Sequence, residues 1–271
     1  MIECVDLNNP FSIADWIEYE ILDTNQPISK SKVGSLTGAD EEIIDSAISE
    51  LIRRKSLYGN SSPFQVDGFN IMPNYAWVDN PALMLCLIFS LRGVERSAGH
   101  DDGTRLFERL SGEAAKAYLA GEAEVIGFPN GGQLIQQIKQ LSQRTNELLG
   151  HRQPRPQDKD KGVDVVAWKP HRDNRPNQVV LLLQCAAGAN FFEKKQISLK
   201  TWQEFIHWSV APIRGIMIPH IPSSEEWHEI MNDYDLIFDR VRIFKGVYNL
   251  SLPPDLNEAI LSWCREKIEN S

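Results

Sequence analysis

Gly162-Val-Asp-Val-Val-Ala-Trp168 and Gln178-Val-Val-Leu-Leu-Leu-Gln-Cys-Ala-Ala-Gly188 are two short apolar runs, separated by Pro170-His-Arg-Asp-Asn-Arg-Pro176. Their length, their β-branched content and the Gly and Pro around them read as neighbouring buried β-strands. Each run carries one polar side chain where a core strand should have none. Asp164 interrupts the first and Gln184 falls near the end of the second. A carboxylate set among Val and Trp costs on the order of several kcal/mol in lost hydration unless something offsets it. A divalent cation held by side-chain oxygens is a candidate for that something.

Outward from these strands, residues 103–271 alternate between helical and strand patterns. Residues 103–120 read as an amphipathic helix and Glu122-Ala-Glu-Val-Ile-Gly-Phe as a short strand. Gln133 to Leu149 reads as a helix with Leu134, Ile135, Ile138, Leu141 and Leu148 on one face. After the two central strands come a helix from Ser198, a strand at Gly215-Ile-Met-Ile-Pro-His, and a helix from Ser223 to Met231. A strand at Leu236–Phe244 and a last helix over 254–268 complete the order. Alternation of this kind predicts an α/β domain with a mixed sheet flanked by helices, here over residues 96–271.

Residues 1–95 read differently. Helical periods over 12–23, opened by Ser12 as cap, and over 41–55 flank a short helix or turn at 29–36. An alternating hairpin around Asp67-Gly68 follows. Three helices and a hairpin are the order of a winged helix-turn-helix. The helix over 41–55 begins Asp40-Glu41-Glu42 and holds Arg53, Arg54 and Lys55 at its far end. Recognition helices present their N-terminal part to the major groove, and here that part is negative. The expectation is a small helical module that contacts a protein partner rather than DNA.

The bulk composition, 42% apolar and 24% charged with four scattered Cys, is that of a globular protein. It suggests neither a disulfide framework nor a zinc site. No signal-peptide pattern opens the chain and Ala82–Leu91 is too short to span a bilayer, so a cytoplasmic protein is expected. The net charge of −9 is unevenly spread. The first fifty residues repel phosphate, whereas residues 151–175 are rich in Arg and Lys and could form a local basic surface. The alternative is that Arg152 to Lys161 is simply a solvated loop.

The order helix, three strands, helix, strand, with Asp164 at the start of the second strand, resembles the PD-(D/E)XK (restriction-endonuclease-like) nuclease superfamily. The likeness covers about residues 103–220. The superfamily carries an Asp at that position and (D/E)-x-K on the third strand; here Gln184-Cys-Ala186 stands in place of the latter. Glu108, in Gly103-x-x-x-Phe-Glu-x-Leu, matches an acidic residue often found on the first helix. The string G-x-D-V-V-A-W … Q-C-A-x-G-x-N also resembles uncharacterised bacterial proteins associated with phage-defence loci.

The resemblance implies metal-dependent hydrolysis of phosphodiesters, in DNA before RNA. Asp164, Gln184 and Glu108 would hold Mg²⁺ or Mn²⁺. Residues 184 and 186 point to the same side of a strand, so Ala186 occupies the place of the lysine that orients water. Some superfamily members move that lysine to the following helix; Lys194 is the candidate here, with Lys195 and Lys200 as alternatives. The competing reading is a nuclease-fold subunit without catalysis that binds or assembles in a larger complex. His171, in the turn between the strands, and His220, at a strand end, are lesser candidates. His207, Trp202 and Trp208 read as helix and core positions. No phosphate-binding Gly-rich loop and no Ser-His-Asp or Cys-His spacing is present.

Overall fold

The computed structural model describes residues 5–93, 100–126, 134–155, 161–188 and 196–270. They divide into two compact units, residues 1–103 with 248–271, and residues 104–247. None of the described helices is long and apolar enough to cross a membrane.

The first unit begins with α1 (Pro10–Thr24), β1 (Ile28–Ser29), α2 (Lys30–Thr37), α3 (Glu41–Tyr58), β2 (Phe64–Asp67), β3 (Asn70–Pro73) and α4 (Pro81–Arg92). The cap of α1 is Asn9, whose side chain accepts the Phe11 N–H; Pro10 at the first helical position has no N–H to satisfy. Ser12, the expected cap, lies inside the helix, where its hydroxyl accepts the Asp6 N–H at 3.0 Å. Ile44, Ala47, Ile48 and Leu51 form the buried stripe of α3. The hairpin turns at Asp67-Gly68 as expected, and β1 adds to it in the antiparallel order β1-β3-β2.

A buried ionic hub joins α1 to α3. Arg54 is 1% exposed and its Nη1 bonds Asp15 and Glu18 at 2.5 and 2.8 Å, while its Nε bonds Glu50 at 2.7 Å. Burying a guanidinium demands that its donors be matched, and a planar fork suits several carboxylates at once.

The second unit runs α5 (His100–Leu119), β4 (Glu122–Val125), α6 (Leu134–Thr145), β5 (Leu148–Leu149), β6 (Val165–Trp168), β7 (Val180–Cys185), α7 (Leu199–Phe205), β8 (Ile206–His207), β9 (Ile213–Met217), α8 (Ser224–Asp233), β10 (Leu236–Phe238) and α9 (Arg240–Val247). Five strands form one mixed sheet in the order β10-β9-β7-β6-β4. Strands β4, β6 and β7 pair antiparallel, and β7, β9 and β10 pair parallel. One face carries Val166, Trp168, Val180 and Leu182, packed with Trp202 and Phe205 of α7 and with Ile138 and Leu141 of α6. Farther along that face, Ala186, Ile216, Ile218 and Ile237 pack with Ile230 and Tyr234 at α8. The other face is covered by α5, where a Cβ on Gly112 would lie 3.7 Å from Val125 and 3.9 Å from Val165.

Two expectations change. The strand over 236–244 ends at Phe238: Asp239 accepts the Arg242 N–H and opens α9, whose buried Arg240, Val241, Ile243, Phe244 and Val247 repeat at helical spacing. The last helix, α10 (Pro254–Glu269), was expected within the α/β domain. It packs instead on α4 in the first unit, with Trp263 stacked on Phe89 at 5.4 Å between ring centres.

Candidate active site on the mixed sheet

Strand β6 ends at the turn that leads into β7, so Asp164 and Gln184 belong to the opposite end of this strand pair. The paired register ends at Val165 opposite Leu183, and Asp164 precedes it as Gln184 follows Leu183. Alternation with Val180 and Leu182 assigns Gln184 to the α6–α7–α8 face.

Asp164 is half-buried just before β6. Its backbone stays in the sheet: its N–H bonds the Leu183 carbonyl at 2.9 Å, and its carbonyl accepts from Ile126 at 2.8 Å. Its Oδ2 accepts the backbone N–H of Cys185 at 2.7 Å. A fixed N–H directed at a carboxylate sets its position.

Gln184 is 6% exposed, the polar step in a row that otherwise reads Val180, Leu182, Ala186. A buried amide requires partners. The hydroxyl of Tyr234 donates to Gln184 Oε1 at 2.6 Å. Burial, then the charge of Asp233, push the Tyr234 phenol up to about 12; Arg214 opposes them, and Asp164 adds the smallest push. Tyr234 caps the C-terminus of α8, and sequence reasoning missed it. A lone Tyr fifty positions from its partner gives no signal in pattern or spacing; only the sheet register reveals it.

Glu108 comes from the other layer. It is 9% exposed on α5 and precedes Gly112 by four residues, so it shares the sheet-facing side of that helix. A Cβ on Gly121, between α5 and β4, would lie 2.2 Å from the Trp168 carbonyl oxygen, so the C-terminus of α5 stands at the Trp168 end of β6. Asp164 thus lies just before β6 and Gln184 near the end of β7, while Glu108 is buried on α5.

Ala186 is fully buried in the cluster of Ile216, Ile218, Ile230, Tyr234 and Ile237. Lys194 and Lys195 lie outside the described residues, and Lys200 is exposed at the start of α7. His171 is exposed in the β6–β7 connection, at the opposite end of the strands from Asp164. His220 follows β9, its carbonyl accepting from Arg240. His207, expected as a helix or core position, is exposed in β8, whereas Trp202 and Trp208 are buried as expected.

The donor set suits a hard cation. Asp164 carries a carboxylate, and Gln184 an amide oxygen that accepts from Tyr234. Among the described residues no three His, Cys, Asp or Glu side chains cluster.

No protein-family model matches the chain, and no curated protein matches it in sequence. Among solved structures it is similar to the MspJI restriction endonuclease in complex with a 27-mer oligonucleotide. That match has 15% identity and a TM-score of 0.24, over 62% of this chain and 36% of that one. It is also similar to the restriction endonuclease FokI, with 9% identity and a TM-score of 0.23 over 96% of this chain and 46% of that one. The chain spans less than half the length of either.

Proposed function

We propose that residues 104–247 form a nuclease of PD-(D/E)XK type that hydrolyses DNA phosphodiesters with Mg²⁺ or Mn²⁺. The observation that carries this reading is the Asp164 carboxylate, before β6, accepting the N–H of Cys185, the residue after Gln184 on β7, within a helix, three-strand, helix, strand core in which β9 runs parallel to β7. When bound, the cation supplies charge stabilisation at the phosphate and activation of water. Asp164 provides the fixed negative charge, Gln184 a neutral oxygen and Glu108 a second carboxylate, while Lys194 has the role of orienting the attacking water. The defence setting rests on the likeness of the sequence string alone.

For the first unit we propose a winged-helix module that meets a protein partner. Its order of three helices and a hairpin, with β1 beside β3, supports this. So does the charge of α3. Its exposed first turn is acidic, Arg54 is consumed in the buried hub and Arg53 is paired with Glu50.

The experiment is cleavage of plasmid and single-stranded DNA by the purified chain with Mg²⁺ or Mn²⁺, beside Asp164→Ala and Lys194→Ala. Loss in both variants supports the full assignment; intact cleavage in Asp164→Ala overturns the site. One observation favours a second reading, a nuclease-fold binding subunit without catalysis: Ala186 is sealed in apolar packing where the lysine belongs. Absence of both cleavage and calorimetric metal binding would select it.

A further inference from the structure

We propose that a groove in the first unit docks a peptide segment of a partner protein, one that inserts a bulky apolar side chain and carries Lys or Arg beside it. The inference rests on the reading of this unit as a protein-contacting module, and names the surface and the chemistry it takes. The groove lies between α2, the first turn of α3 and the tip of the β2–β3 hairpin, and encloses about 430 Å³. That volume is within the range of about 300–1,000 Å³ at which proteins take up compact ligands. Its apolar lining is Gly34, Ala39, Ile44 and Phe69.

Two features of that lining do nothing for the fold itself. Gly34 stands inside α2 with ordinary helical backbone, where glycine weakens a helix relative to alanine. A Cβ at this position would stop 3.4 Å from Ile44 Cδ1, an ordinary contact, so alanine would fit. What glycine adds is open space over Ile44. Phe69 sits at the hairpin tip with its side chain 64% exposed. The tip is nonetheless fixed against α2, because the Lys30 N–H bonds the Phe69 carbonyl at 2.9 Å. The groove therefore stands open and preformed, with an aromatic side chain at its edge.

The rim selects for positive charge. Asp40, Glu41, Glu42 and Asp45 are all exposed at the start of α3. Lys30 shows what this rim takes: its Nζ lies 2.9 Å from Glu41, 2.5 Å from Asp45 and 5.4 Å from the centre of the Phe69 ring. Carboxylates beside an aromatic face attract an ammonium or a guanidinium. An acidic first turn also steadies a helix N-terminus, but Asp45 is past the reach of that effect. Lys30 offsets one of the four charges, and the charge of nearby Lys32 acts on Glu20 of α1. The surplus is negative, so the rim repels phosphate and steers a basic segment inward.

The test is selection of a displayed random-peptide library on the full chain, followed by anisotropy titration of the enriched peptides. Wild type is compared with Gly34→Leu, which fills the groove, and Phe69→Ala, which removes the ring; thermal unfolding checks the fold of each. The expected peptides carry a bulky apolar residue next to Lys or Arg. Their binding should weaken by about 10-fold or more in either variant, and also as salt is raised. Groove-dependent peptides that are acidic or lack an apolar anchor overturn the proposal. Peptides that bind wild type and both variants alike overturn the groove and leave the partner reading of the first unit standing. No enrichment also overturns the groove; if duplex DNA binds instead, and either variant abolishes that binding, the partner reading falls with it. Should Gly34→Leu not fold, Phe69→Ala, at an exposed turn, decides alone.

Discussion

The carboxylate of Asp164 and the backbone N–H of Cys185 meet at 2.7 Å, so the bond that ties the start of β6 to the end of β7 also fixes where the charge of the site stands. Asp164 therefore has two separable duties. Asp164→Ala removes both, and should lower stability by about 1–3 kcal/mol because the Cys185 N–H loses this acceptor. Asp164→Asn keeps an oxygen for that bond and should stay near wild-type stability. Both variants should lose cleavage by at least ~100-fold. Urea denaturation beside a plasmid-nicking assay separates the two effects; an active Asn variant would contradict the assignment.

Ala186→Lys restores the superfamily's residue on paper but not in the fold. The side chain would enter the space filled by Ile216, Ile218, Ile230, Tyr234 and Ile237. Overpacking and a desolvated ammonium together should cost more than about 2 kcal/mol. The variant should be less stable and no more active than wild type. A gain in cleavage rate would mean that the lysine position is reachable after all.

Arg54→Ala would leave Asp15, Glu18 and Glu50 facing one another without their shared cation. Breaking a buried pair of this kind costs about 3–5 kcal/mol, and the deficit should appear in the denaturant midpoint. Arg54→Lys should recover only part of it, because one ammonium cannot reproduce the three-way geometry of the fork.

Near the C-terminus of α1, Glu20 and Asp23 titrate above their ordinary values. For Glu20 the causes are burial and then the charge of Asp23; for Asp23 the cause is burial. A carboxyl whose pKa is higher folded than unfolded stabilises the fold fully while protonated. That contribution is lost as pH rises from the ordinary carboxylate values, 4.5 and 3.8, through the raised ones. Glu20→Gln and Asp23→Asn should therefore stabilise the protein at pH 7, by less than about 1 kcal/mol each at these part-exposed positions. The gain should vanish below pH 4. Thermal melts across that range read the sign directly.

The strands that decide the fold were legible because β6 and β7 are buried on both faces, and nothing but an apolar run can occupy such a place. The helical stripe of α3 was legible for the analogous reason, a period set by a single buried side. Sequence failed where tertiary contact decides. Leu236–Phe244 is apolar enough for a strand, and only the turn at Asp239 makes its second half a helix. The two-residue β1 exists because β3 offers it an edge. Of the site, Asp164 and Gln184 stand out as polar residues in apolar runs, while Tyr234 is an unremarked aromatic until the sheet places it.

The return of α10 to α4 makes the chain's first unit discontinuous, with the whole of residues 104–247 inserted between its halves. During vectorial synthesis the two units face different schedules. The inserted one has every residue it needs once Val247 clears the ribosome. The flanking one holds Phe89 in wait for Trp263, and until that residue emerges its α4 surface, apolar from Ala82 to Phe89, stands uncovered. The inserted unit can thus be complete before the flanking one, whose α4 lacks Trp263 until the last helix has been made.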